Sequence, residues 1–356
     1  MSDIQKGETL LRVEHLTMQF GRGEYAKKAV DDVSFDIKKG EVFGLVGESG
    51  CGKTTTGRTI IRLYDATSGS VWFKGQRIVA GTGSYKTEIK ALRAKMKEAK
   101  DDAALQVCRA RISELKEEIK SAKHDHKHAD KKLVTKIQMI YQDPVASLDP
   151  RMTVEEIIAE GLKIQGVKDK KLIREKVYEM LDTVGLVHEH AGRYPHEFSG
   201  GQRQRIGVAR AVIMEPEMII ADEPISALDV SIRAQVINLL NDLRERMGMT
   251  ILFIAHDLSV VKYFSNRIGV MYFGNLVELA DSDELFLNPL HPYTRSLLSA
   301  IPQPDPNYEK NRKRIVYNPL TDHDYSVDKP SFREVKPGHF VKCNEAEYKE
   351  YLSILK

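Results

Sequence analysis

Residues 47–54 have the residue types and spacing of a loop that binds phosphate groups. They read Gly-Glu-Ser-Gly-Cys-Gly-Lys-Thr, which fits the pattern G-x-x-x-x-G-K-[ST], and they follow an apolar segment and open a predicted helix. In such a loop the glycines let backbone N–H groups wrap the phosphates, the lysine neutralises the β- and γ-phosphates, and the threonine hydroxyl ligates Mg²⁺. The residues expected to line this site are Gly47, Glu48, Ser49, Gly50, Cys51, Gly52, Lys53 and Thr54.

A second anion-facing segment lies at residues 198–205, where Ser199, Gly200, Gly201 and Gln202 open a predicted helix. The glycines allow the backbone to approach an anion closely, the serine adds a hydroxyl donor, and a helix N-terminus favours negative charge. A single nucleotide hardly needs both devices from one molecule. The two segments therefore indicate two different nucleotides.

Two adjacent carboxylates, Asp222 and Glu223, follow the apolar segment 218–221, which is a predicted strand. Asp222 would hold Mg²⁺, directly or through water, and Glu223 would orient or deprotonate the attacking water. Alone this pattern is weak, because buried strands that end in Asp are common and the Asp usually caps the next helix. In a chain that also has a phosphate loop earlier in the sequence, the pattern is strong evidence for these two roles.

His256 and Gln142 each follow a predicted strand, at residues 250–255 and 136–141. A lone histidine at a strand end is more often structural than catalytic. Here the preceding carboxylate strand favours a catalytic role, because a neutral imidazole could reach the γ-phosphate. The Gln142 amide could in turn sense Mg²⁺ and the attacking water.

The elements that must position these residues alternate between strands and helices. Strands are predicted at residues 10–13, 29–37, 41–46, 70–73, 136–141, 218–221 and 250–255, and helices at residues 54–63, 153–186 and 231–246. This alternation predicts an α/β fold with a mostly parallel sheet. After residue 291 the chain is rich in Pro and Tyr, which predicts irregular packing rather than another sheet.

Residues 87–132 differ in character from the rest of the chain. Apolar residues recur at helical spacing at Ile89, Leu92, Met96, Ala99 and Ala103. The same spacing begins again, out of phase with the first series, at Ile112, Leu115, Ile119 and Ala122. The pattern predicts two amphipathic helices in a hairpin or short coiled coil, with the turn near Asp101 and Asp102. Residues 84–136 hold fifteen Lys/Arg against nine Asp/Glu, so this segment supplies the positive balance of a chain whose net charge is +3.

Three histidines, His124, His126 and His128, lie in the same segment. His124 and His128 would share a helix face and could bind a metal. A solvated polar turn or helix end is the favoured interpretation. The basic excess could contact acidic lipid headgroups or a partner, although a solvated face is again favoured.

Composition and length are those of a globular protein, with 42% hydrophobic and 29% charged residues in 356. There is no run of about eighteen or more uncharged apolar residues, which argues against a membrane span. The polar N-terminal segment lacks the apolar region of a signal peptide, which predicts a cytosolic protein. Cys51, Cys108 and Cys343 are far apart, so free thiols are expected.

Taken in order, these motifs resemble those of the nucleotide-binding subunit of an ABC transporter, over about residues 11–280. In that family two subunits face head to tail, and each ATP lies between the phosphate loop of one and the signature segment of the other. The resemblance implies a mostly parallel core sheet, an antiparallel β-subdomain and a helical signature subdomain, here with an inserted helical hairpin and an irregular C-terminal extension. The implied boundaries are 9–283 for the ATPase domain, about 143–204 for the helical subdomain, about 84–133 for the hairpin and 284–356 for the extension.

The resemblance also assigns roles. Bound ATP and Mg²⁺ are implied, with Glu223, His256 and Gln142 as catalytic residues and Thr54, Gln142 and Asp222 at the metal. The signature residues at 199–202 would contact the ATP of the other subunit, and the loop that ends at Asp229 would couple the two sites. Phe20 is the better candidate for stacking on adenine, Tyr25 is the alternative, and core packing stays open for either.

Further segments resemble oligopeptide and dipeptide importers, namely residues 141–150, 194–197 and 291–298. Residues 225–232 are similar to the F-type ATPase subunit, which normally pairs with a related D-type subunit. Implied partners are a second ATPase subunit, two membrane permease subunits and, indirectly, an extracellular substrate-binding protein, with the chain peripheral to the cytoplasmic face. Neither nucleic acid nor the peptide itself would be contacted, and no iron–sulfur cluster is expected because Cys343 stands alone. Importers of nickel or other substrates, and a homodimer or a heterodimer, stay open.

A DNA-repair or chromosome-organising ATPase is the alternative, because such proteins also combine this signature with a coiled coil. Two features argue against it. The insertion precedes Gln142, whereas the coiled coil of those ATPases follows that loop, and the insertion is short. An ABC protein acting in translation is disfavoured, because only one phosphate loop is present.

Overall fold

The computed structural model describes residues 7–21, 23–98, 101–301 and 314–355. The strands are β1 Thr9–Phe20, β2 Lys27–Lys38, β3 Val42–Val46, β4 Ser68–Phe73, β5 Gln76–Thr82, β6 Ile137–Ile140, β7 Met218–Asp222, β8 Thr250–Ala255, β9 Arg267–Tyr272, β10 Asn275–Asp281, β11 Ser331–Lys336 and β12 His339–Cys343. The α-helices are α1 Lys53–Ile60, α2 Gly83–Glu98, α3 Asp102–His128, α4 Lys131–Val134, α5 Pro144–Ser147, α6 Val154–Ile164, α7 Lys170–Thr183, α8 Gly200–Val212, α9 Val230–Met247, α10 Leu258–Phe264, α11 Ser282–Leu287, α12 Pro292–Ser299 and α13 Glu345–Ile354. Short 3₁₀ turns lie at Gly23–Tyr25, His188–Gly192 and Pro195–Glu197.

The larger sheet has eight strands in the order β11-β12-β10-β9-β3-β8-β7-β6. The five strands from β9 to β6 are parallel, and β3, β7 and β8 are buried at every residue. Continuous burial explains their unbroken apolar runs, because both faces of a parallel sheet are covered. The predicted α/β fold with a mostly parallel core is confirmed, although β9 and β10 had no counterpart among the predicted strands. The phosphate loop and the polar residues after β6, β7 and β8 thereby leave the sheet at one edge.

The smaller sheet is antiparallel, in the order β2-β1-β4-β5. The predicted first strand, residues 10–13, is too short, because β1 continues to Phe20 between two neighbours. Pairing with β4 shifts register between Glu14 and Thr17, and His15 there has a φ of +49°. A bulge breaks the alternation of apolar and polar residues, which is why the sequence pattern ended early.

The predicted helix at 153–186 is two helices, α6 and α7. The helical conformation is interrupted at Gly166, which has a φ of +90° and open space around it. The Asp169 side chain then accepts hydrogen bonds from Lys171 N and Leu172 N and starts α7. Apolar residues continue on both sides of this break, so Gly166 and the Asp169 cap are its local signals in the sequence.

The insertion forms the expected helical hairpin, and Ile89, Ile112 and Leu115 are buried between α2 and α3. The Asp101 carboxylate accepts a hydrogen bond from Ala103 N and begins α3, so Ala103 belongs to the second helix and not, as predicted, to the first. Ala99, the other residue assigned to the end of the first helix, lies outside the described residues.

The hairpin folds back along the antiparallel sheet. Arg77 of β5 donates to Asp125 at 2.9 Å and to Ser121 at 3.1 Å, both on α3. Arg62, after α1, donates to the carbonyl of His126 at 2.6 Å. These contacts connect the second half of α3 to the rest of the protein. The small apolar cluster of the hairpin, in contrast, consists only of residues of α2 and α3.

The prediction of irregular packing after residue 291 was wrong. Strand β12 pairs antiparallel with β10, and β11 pairs with β12, so the extension widens the main sheet. In β12 the residues His339, Val341 and Cys343 are buried and alternate with less buried neighbours. This alternation is short, and the abundance of Pro and Tyr around it hid the strand. The helix α13 follows with a capping box between Asn344 and Glu347.

None of the helices in the described part of the chain combines the length and apolar character that crossing a bilayer requires. The three cysteines are all unpaired, with Cys51 and Cys343 buried and Cys108 partly buried.

Replacing residues 85–132 by a short Gly/Ser linker should leave ATP binding within about twofold of the intact chain. The deletion removes the hairpin together with the apolar cluster between α2 and α3. It keeps Leu133 and Val134, which pack against the apolar core that includes residues of both sheets. Arg77 and Arg62 lose their partners on α3, but neither arginine belongs to the loop at residues 47–54 that would hold the phosphates.

ATP affinity would be measured by calorimetric titration of the folded deletion variant. Lys53→Ala in the intact chain is the control that should lose binding. A folded deletion variant without ATP binding would show that the hairpin belongs to the nucleotide site.

Candidate functional site

The phosphate loop lies where the two sheets meet, and its glycines are required by close approach. A Cβ on Gly47 would lie 2.2 Å from the carbonyl oxygen of Met271, at the end of β9. A Cβ on Gly52 would lie 2.2 Å from the carbonyl oxygen of Ala29 in β2. Both glycines also have positive φ, at +151° and +107°. No other residue type fits either position without moving the loop.

Lys53 lies inside the curve of this loop and is only 3% exposed. Its Nζ donates to the carbonyl oxygens of Gly47 at 2.7 Å and Glu48 at 2.9 Å. The loop therefore already holds its cation against its own backbone. Burial raises the pKa of the neighbouring Cys51 thiol, so this cysteine acts as an uncharged packing residue at neutral pH.

Thr54 and Asp222 meet at the start of α1 and the end of β7. The Thr54 hydroxyl donates to Asp222 Oδ1 at 2.7 Å. Asp222 is fully buried, and burial raises its pKa against the opposing effects of the Thr54 hydrogen bond and the Arg58 charge. Its Oδ2 is buried without a hydrogen-bond partner among the described residues. A hydroxyl beside a carboxylate oxygen that lacks a partner fits Mg²⁺ or its bound water.

Two polar side chains converge on one oxygen of Glu223. Gln142 Nε2 donates to Glu223 Oε2 at 3.0 Å, and His256 Nδ1 lies 3.3 Å from the same atom. The three residues follow β6, β7 and β8, whose carboxyl ends meet at this edge. Parallel neighbours thus bring together residues that are 33 and 81 positions apart. The arrangement holds a carboxylate in a fixed orientation beside the phosphate loop, as a general base requires.

The backbone at Glu223 is in a rare conformation. Its φ is +43°, and its N–H donates to the carbonyl of Ile254 in β8 at 3.0 Å. A non-glycine residue in the left-handed region is uncommon and persists where surrounding contacts fix it. The side chain is 12% exposed, so the carboxylate is sheltered yet reachable.

Of the predicted site, the structure brings together the phosphate loop, Asp222, Glu223, Gln142 and His256. Gln142 contacts the carboxylate of Glu223, and its expected role at Mg²⁺ stays a prediction. The roles of His256 and Glu223 in hydrolysis likewise stay predictions.

The segment 199–202 is the capped N-terminus of a helix and not a loop that wraps around a lysine. Ser199 caps α8 through a capping box, with its Oγ accepting from Gln202 N at 3.3 Å and its N–H donating to Gln202 Oε1 at 3.0 Å. Ser199 and Gly200 are exposed. Gly201 is needed for packing, because a Cβ there would lie 2.6 Å from Ile232 of α9. Within the described ranges no hydrogen bond joins this segment to the phosphate loop of the same chain.

Helix α8 is nevertheless fixed relative to the Gln142 loop. Arg210 donates to the carbonyl of Ser147 at 2.5 Å, and its guanidinium lies 5.6 Å from the centre of the Tyr141 ring. Burial lowers the pKa of Arg210, which nonetheless stays charged at neutral pH. A displacement of the Gln142 loop would therefore move α8 and the exposed Ser199 with it.

The remaining predicted residues lie at the surface. Phe20 is 42% exposed and meets the Tyr64 ring edge-on at 5.3 Å, whereas Tyr25 is 90% exposed. Asp229 is exposed and begins α9 with its carbonyl, which accepts from Ile232 N and Arg233 N, while its side chain makes no capping bond. Adenine stacking by Phe20 and coupling by Asp229 stay predictions.

His124 and His128 do share a face of α3, with ring centres 4.3 Å apart. His128 Nδ1 lies 2.8 Å from the carbonyl oxygen of His124, within the same helix turn. No group of three or more His, Cys, Asp or Glu side chains is placed to hold a metal ion, as far as the chain is described.

Sequence reasoning missed one contact of the phosphate loop. The hydroxyl of Tyr293, in α12, accepts a hydrogen bond from Glu48 N at 3.1 Å. In the sequence, residues 291–298 only resemble the C-terminal extension of oligopeptide and dipeptide importers. Nothing local in the sequence indicates that this extension reaches the phosphate loop.

Comparisons with known proteins agree with this geometry. Residues 30–226 match the family model described as "ABC transporter", and residues 277–326 match that of "Oligopeptide/dipeptide transporter, C-terminal region". The chain is 56% identical to the oligopeptide transport ATP-binding protein OppF of Bacillus subtilis (strain 168), over 97% of this chain and 99% of that protein. It is 45% identical to the dipeptide transport ATP-binding protein DppF of Lactococcus lactis subsp. cremoris (strain MG1363), over 96% of each chain.

Among solved structures, the fold resembles the ATP-binding cassette MJ0796, described as a dimer in a post-hydrolysis state bound to ADP and Pi. The TM-score is 0.57 at 25% identity, covering 77% of this chain and 99% of that one.

Glu223→Gln should lower steady-state ATP hydrolysis by about 100-fold or more, the usual size of a general-base contribution, and leave ATP binding within about twofold. The amide keeps the shape of the side chain but cannot accept a proton from water. Hydrolysis would be measured in the assembled transporter and binding in the isolated chain.

Glu217→Gln is the matched control. Glu217 immediately precedes β7, at the end opposite to Glu223, and pairs with Lys74 at the surface. Its substitution should leave hydrolysis unchanged, and undiminished hydrolysis by Glu223→Gln would remove Glu223 from the reaction.

Proposed function

This chain belongs to the ATP-binding subunits of ABC transporters, in the oligopeptide and dipeptide group, and from that premise we propose that it hydrolyses ATP to drive a membrane importer of oligopeptides or dipeptides. The premise rests on the matched family models and on relatives that align over nearly their whole length. The single observation in the structure that carries the proposal is the convergence of Gln142, Glu223 and His256 beside the phosphate loop.

ATP would bind with its phosphates in the loop at residues 47–54. Lys53, already inside the loop, offsets phosphate charge, and the wrapped backbone N–H groups do the same. Bound Mg²⁺ would be held by Thr54 and Asp222 and would supply charge neutralisation at the β- and γ-phosphates. Buried Asp222 suits this task because its unpartnered oxygen needs a cation or a hydrogen-bond donor.

Hydrolysis would then use the chain's own carboxylate. Glu223 orients the attacking water and accepts its proton as the water oxygen bonds to the γ-phosphorus. The bond from the γ-phosphorus to the oxygen that bridges it to the β-phosphate breaks, and ADP leaves with the electron pair. Gln142 and His256 hold Glu223 Oε2 from two sides, which limits the rotation of the carboxylate. The fixed backbone at Glu223 adds to this, because reorganisation at the moment of reaction is avoided.

The exposed segment at Ser199 would serve an ATP bound to a second subunit. Support comes from its capping-box geometry, its exposure and the lack of hydrogen bonds to its own phosphate loop in the described ranges. A helix N-terminus at the surface, headed by an exposed serine, is suited to a phosphate that arrives from outside. Closure of two subunits on ATP would complete both sites, and hydrolysis would open them.

The finer assignment is an F-type subunit that pairs with a related D-type subunit at the cytoplasmic face of the membrane. Two permease subunits would carry the peptide, an extracellular binding protein would deliver it, and this chain would touch neither peptide nor nucleic acid. The names OppF and DppF of the similar proteins and the match at residues 277–326 support this assignment.

The DNA-repair or chromosome-organising alternative finds no support in the comparisons. Its structural premise is also weak, because the α2–α3 hairpin folds back on β5 and precedes Gln142. A hairpin whose longer helix spans roughly 40 Å is not an arm that reaches far from the ATPase body.

Ser199→Ala should spare ATP binding by the isolated chain and lower hydrolysis by the assembled transporter about tenfold or more. The lost hydroxyl donor would have contacted a charged phosphate on the other subunit, and hydrogen bonds to charged groups have this weight. The two measurements are the ATP dissociation constant of the isolated chain and the steady-state rate of the full complex, with import of a labelled oligopeptide as the accompanying readout.

Thr153→Ala is the matched control, because Thr153 heads α6 with the same kind of capping box. Both variants lose a helix cap, which costs about 0.5–2 kcal/mol, but only Ser199 faces the second nucleotide. Equal loss of hydrolysis in both variants would reduce Ser199 to a helix cap. Weakened ATP binding by isolated Ser199→Ala would contradict the two-subunit site.

A further inference from the structure

The described part of the C-terminal extension makes a hydrogen bond to one peptide unit of the phosphate loop. The N–H of Glu48 donates to the Tyr293 hydroxyl at 3.1 Å. The carbonyl of the same peptide, on Gly47, accepts from Lys53 Nζ at 2.7 Å. Because the N–H and C=O of a trans peptide point to opposite sides, Tyr293 and Lys53 hold one peptide plane from both sides.

Tyr293 is itself rigidly placed. It is 2% exposed, and its ring lies 4.4 Å from that of Tyr272, at the end of β9. Its N–H donates to His291 Nδ1 at 3.1 Å, which caps α12. Burial lowers the pKa of His291 to about 3, so the ring is neutral at physiological pH and its Nδ1 can accept this bond.

The start of α12 is anchored to the main sheet by a buried carboxylate. Glu278 of β10 is fully buried, and its two oxygens accept from Leu290 N at 2.8 Å and His291 N at 3.1 Å. His339 of β12 lies 2.9 Å from Glu278 through its Nε2. Continuous hydrogen bonds therefore run from the strand added by the extension to the Tyr293 backbone.

A second contact holds the loop from outside. Gly274, in the turn between β9 and β10, donates its N–H to the Cys51 carbonyl at 2.9 Å. The phosphate loop is thus held by the extension at Glu48 and by the β9–β10 turn at Cys51. Of these two contacts, only the one at Glu48 is made by a side chain.

We propose that Tyr293 is a positioning residue of the nucleotide site: its hydroxyl fixes the Gly47–Glu48 peptide so that the carbonyl of Gly47 keeps Lys53 in place for the ATP phosphates. The C-terminal extension is then part of the ATP site and not only an appendage of the sheet. The inference rests on the proposed use of the phosphate loop for ATP. It adds a residue from outside the loop on which nucleotide affinity depends.

The consequence is a separation of binding from chemistry. Without the hydroxyl, the N–H of this peptide loses its acceptor and the peptide can rotate. ATP binding must then fix the conformation of the loop, and this ordering lowers the affinity. Glu223, Gln142 and His256 have no hydrogen bond to Tyr293 among the described residues, so the hydrolytic step is unaffected once ATP is bound. The effect belongs in the dissociation constant and KM, not in kcat.

The test is Tyr293→Phe in the full chain, which keeps the ring and its packing against Tyr272 and removes only the hydroxyl. Calorimetric titration with ATP and Mg²⁺ should show a dissociation constant raised about two- to tenfold, the weight of one net hydrogen bond. In the assembled transporter the KM for ATP should rise by a similar factor, while kcat stays within about twofold.

Tyr351→Phe is the matched control, because Tyr351 is also a buried tyrosine of the extension, 4% exposed and packed in its small apolar core. It should leave ATP affinity unchanged, and the melting temperatures of the two variants should be similar. Unchanged affinity in Tyr293→Phe, an equal loss in Tyr351→Phe, or a loss of kcat at constant KM would each overturn the proposal. Failure of the unaltered chain to bind ATP would instead contradict the proposed function.

Discussion

The site depends on how closely the phosphate-loop backbone packs against two carbonyl oxygens. Gly47 lies against Met271 of the main sheet, and Gly52 lies against Ala29 of the smaller sheet, with no room for a Cβ at either point. The loop is therefore shaped by both sheets at once. An apolar core that includes residues of both sheets holds them at the required separation. Any change that moves one sheet against the other would open the loop that holds Lys53.

Parallel strand order determines the rest of the site. Because β6, β7 and β8 are neighbours that run in one direction, the residues that follow them meet at the edge where the phosphate loop begins. Gln142 and His256 restrain one oxygen of Glu223, while Asp222 points its hydrogen-bonded oxygen at Thr54. The two adjacent carboxylates thereby have different surroundings. One is fully buried and suits a metal, and the other is restrained but reachable and suits water.

The extension shows how an edge of a sheet can act on a distant loop. Strand β12 pairs with β10, and Glu278 of β10 fixes the start of α12, from which Tyr293 reaches Glu48. The links through Glu278, His291 and His339 are buried and hydrogen-bonded, and the last link, at Glu48, is partly buried, so a shift of the extension would disturb the loop. On the opposite side, Arg210 joins α8 to the Gln142 loop. Elements outside the phosphate loop thus contact the loop at Glu48 and hold the Gln142 loop at Ser147.

The sequence by itself determined the phosphate loop, the carboxylates after β7, the α/β alternation and the helical insertion, because each depends on residue types at short, fixed spacings. It could not give the full length of β1, the break at Gly166 or the strands of the extension, since a bulge, a single cap and a short alternation are weak local signals. Only the tertiary structure decided that Gln142 and His256 share one oxygen of Glu223, and that Tyr293 meets Glu48 across 245 positions. Such contacts arise from strand order and sheet packing, which no local pattern encodes.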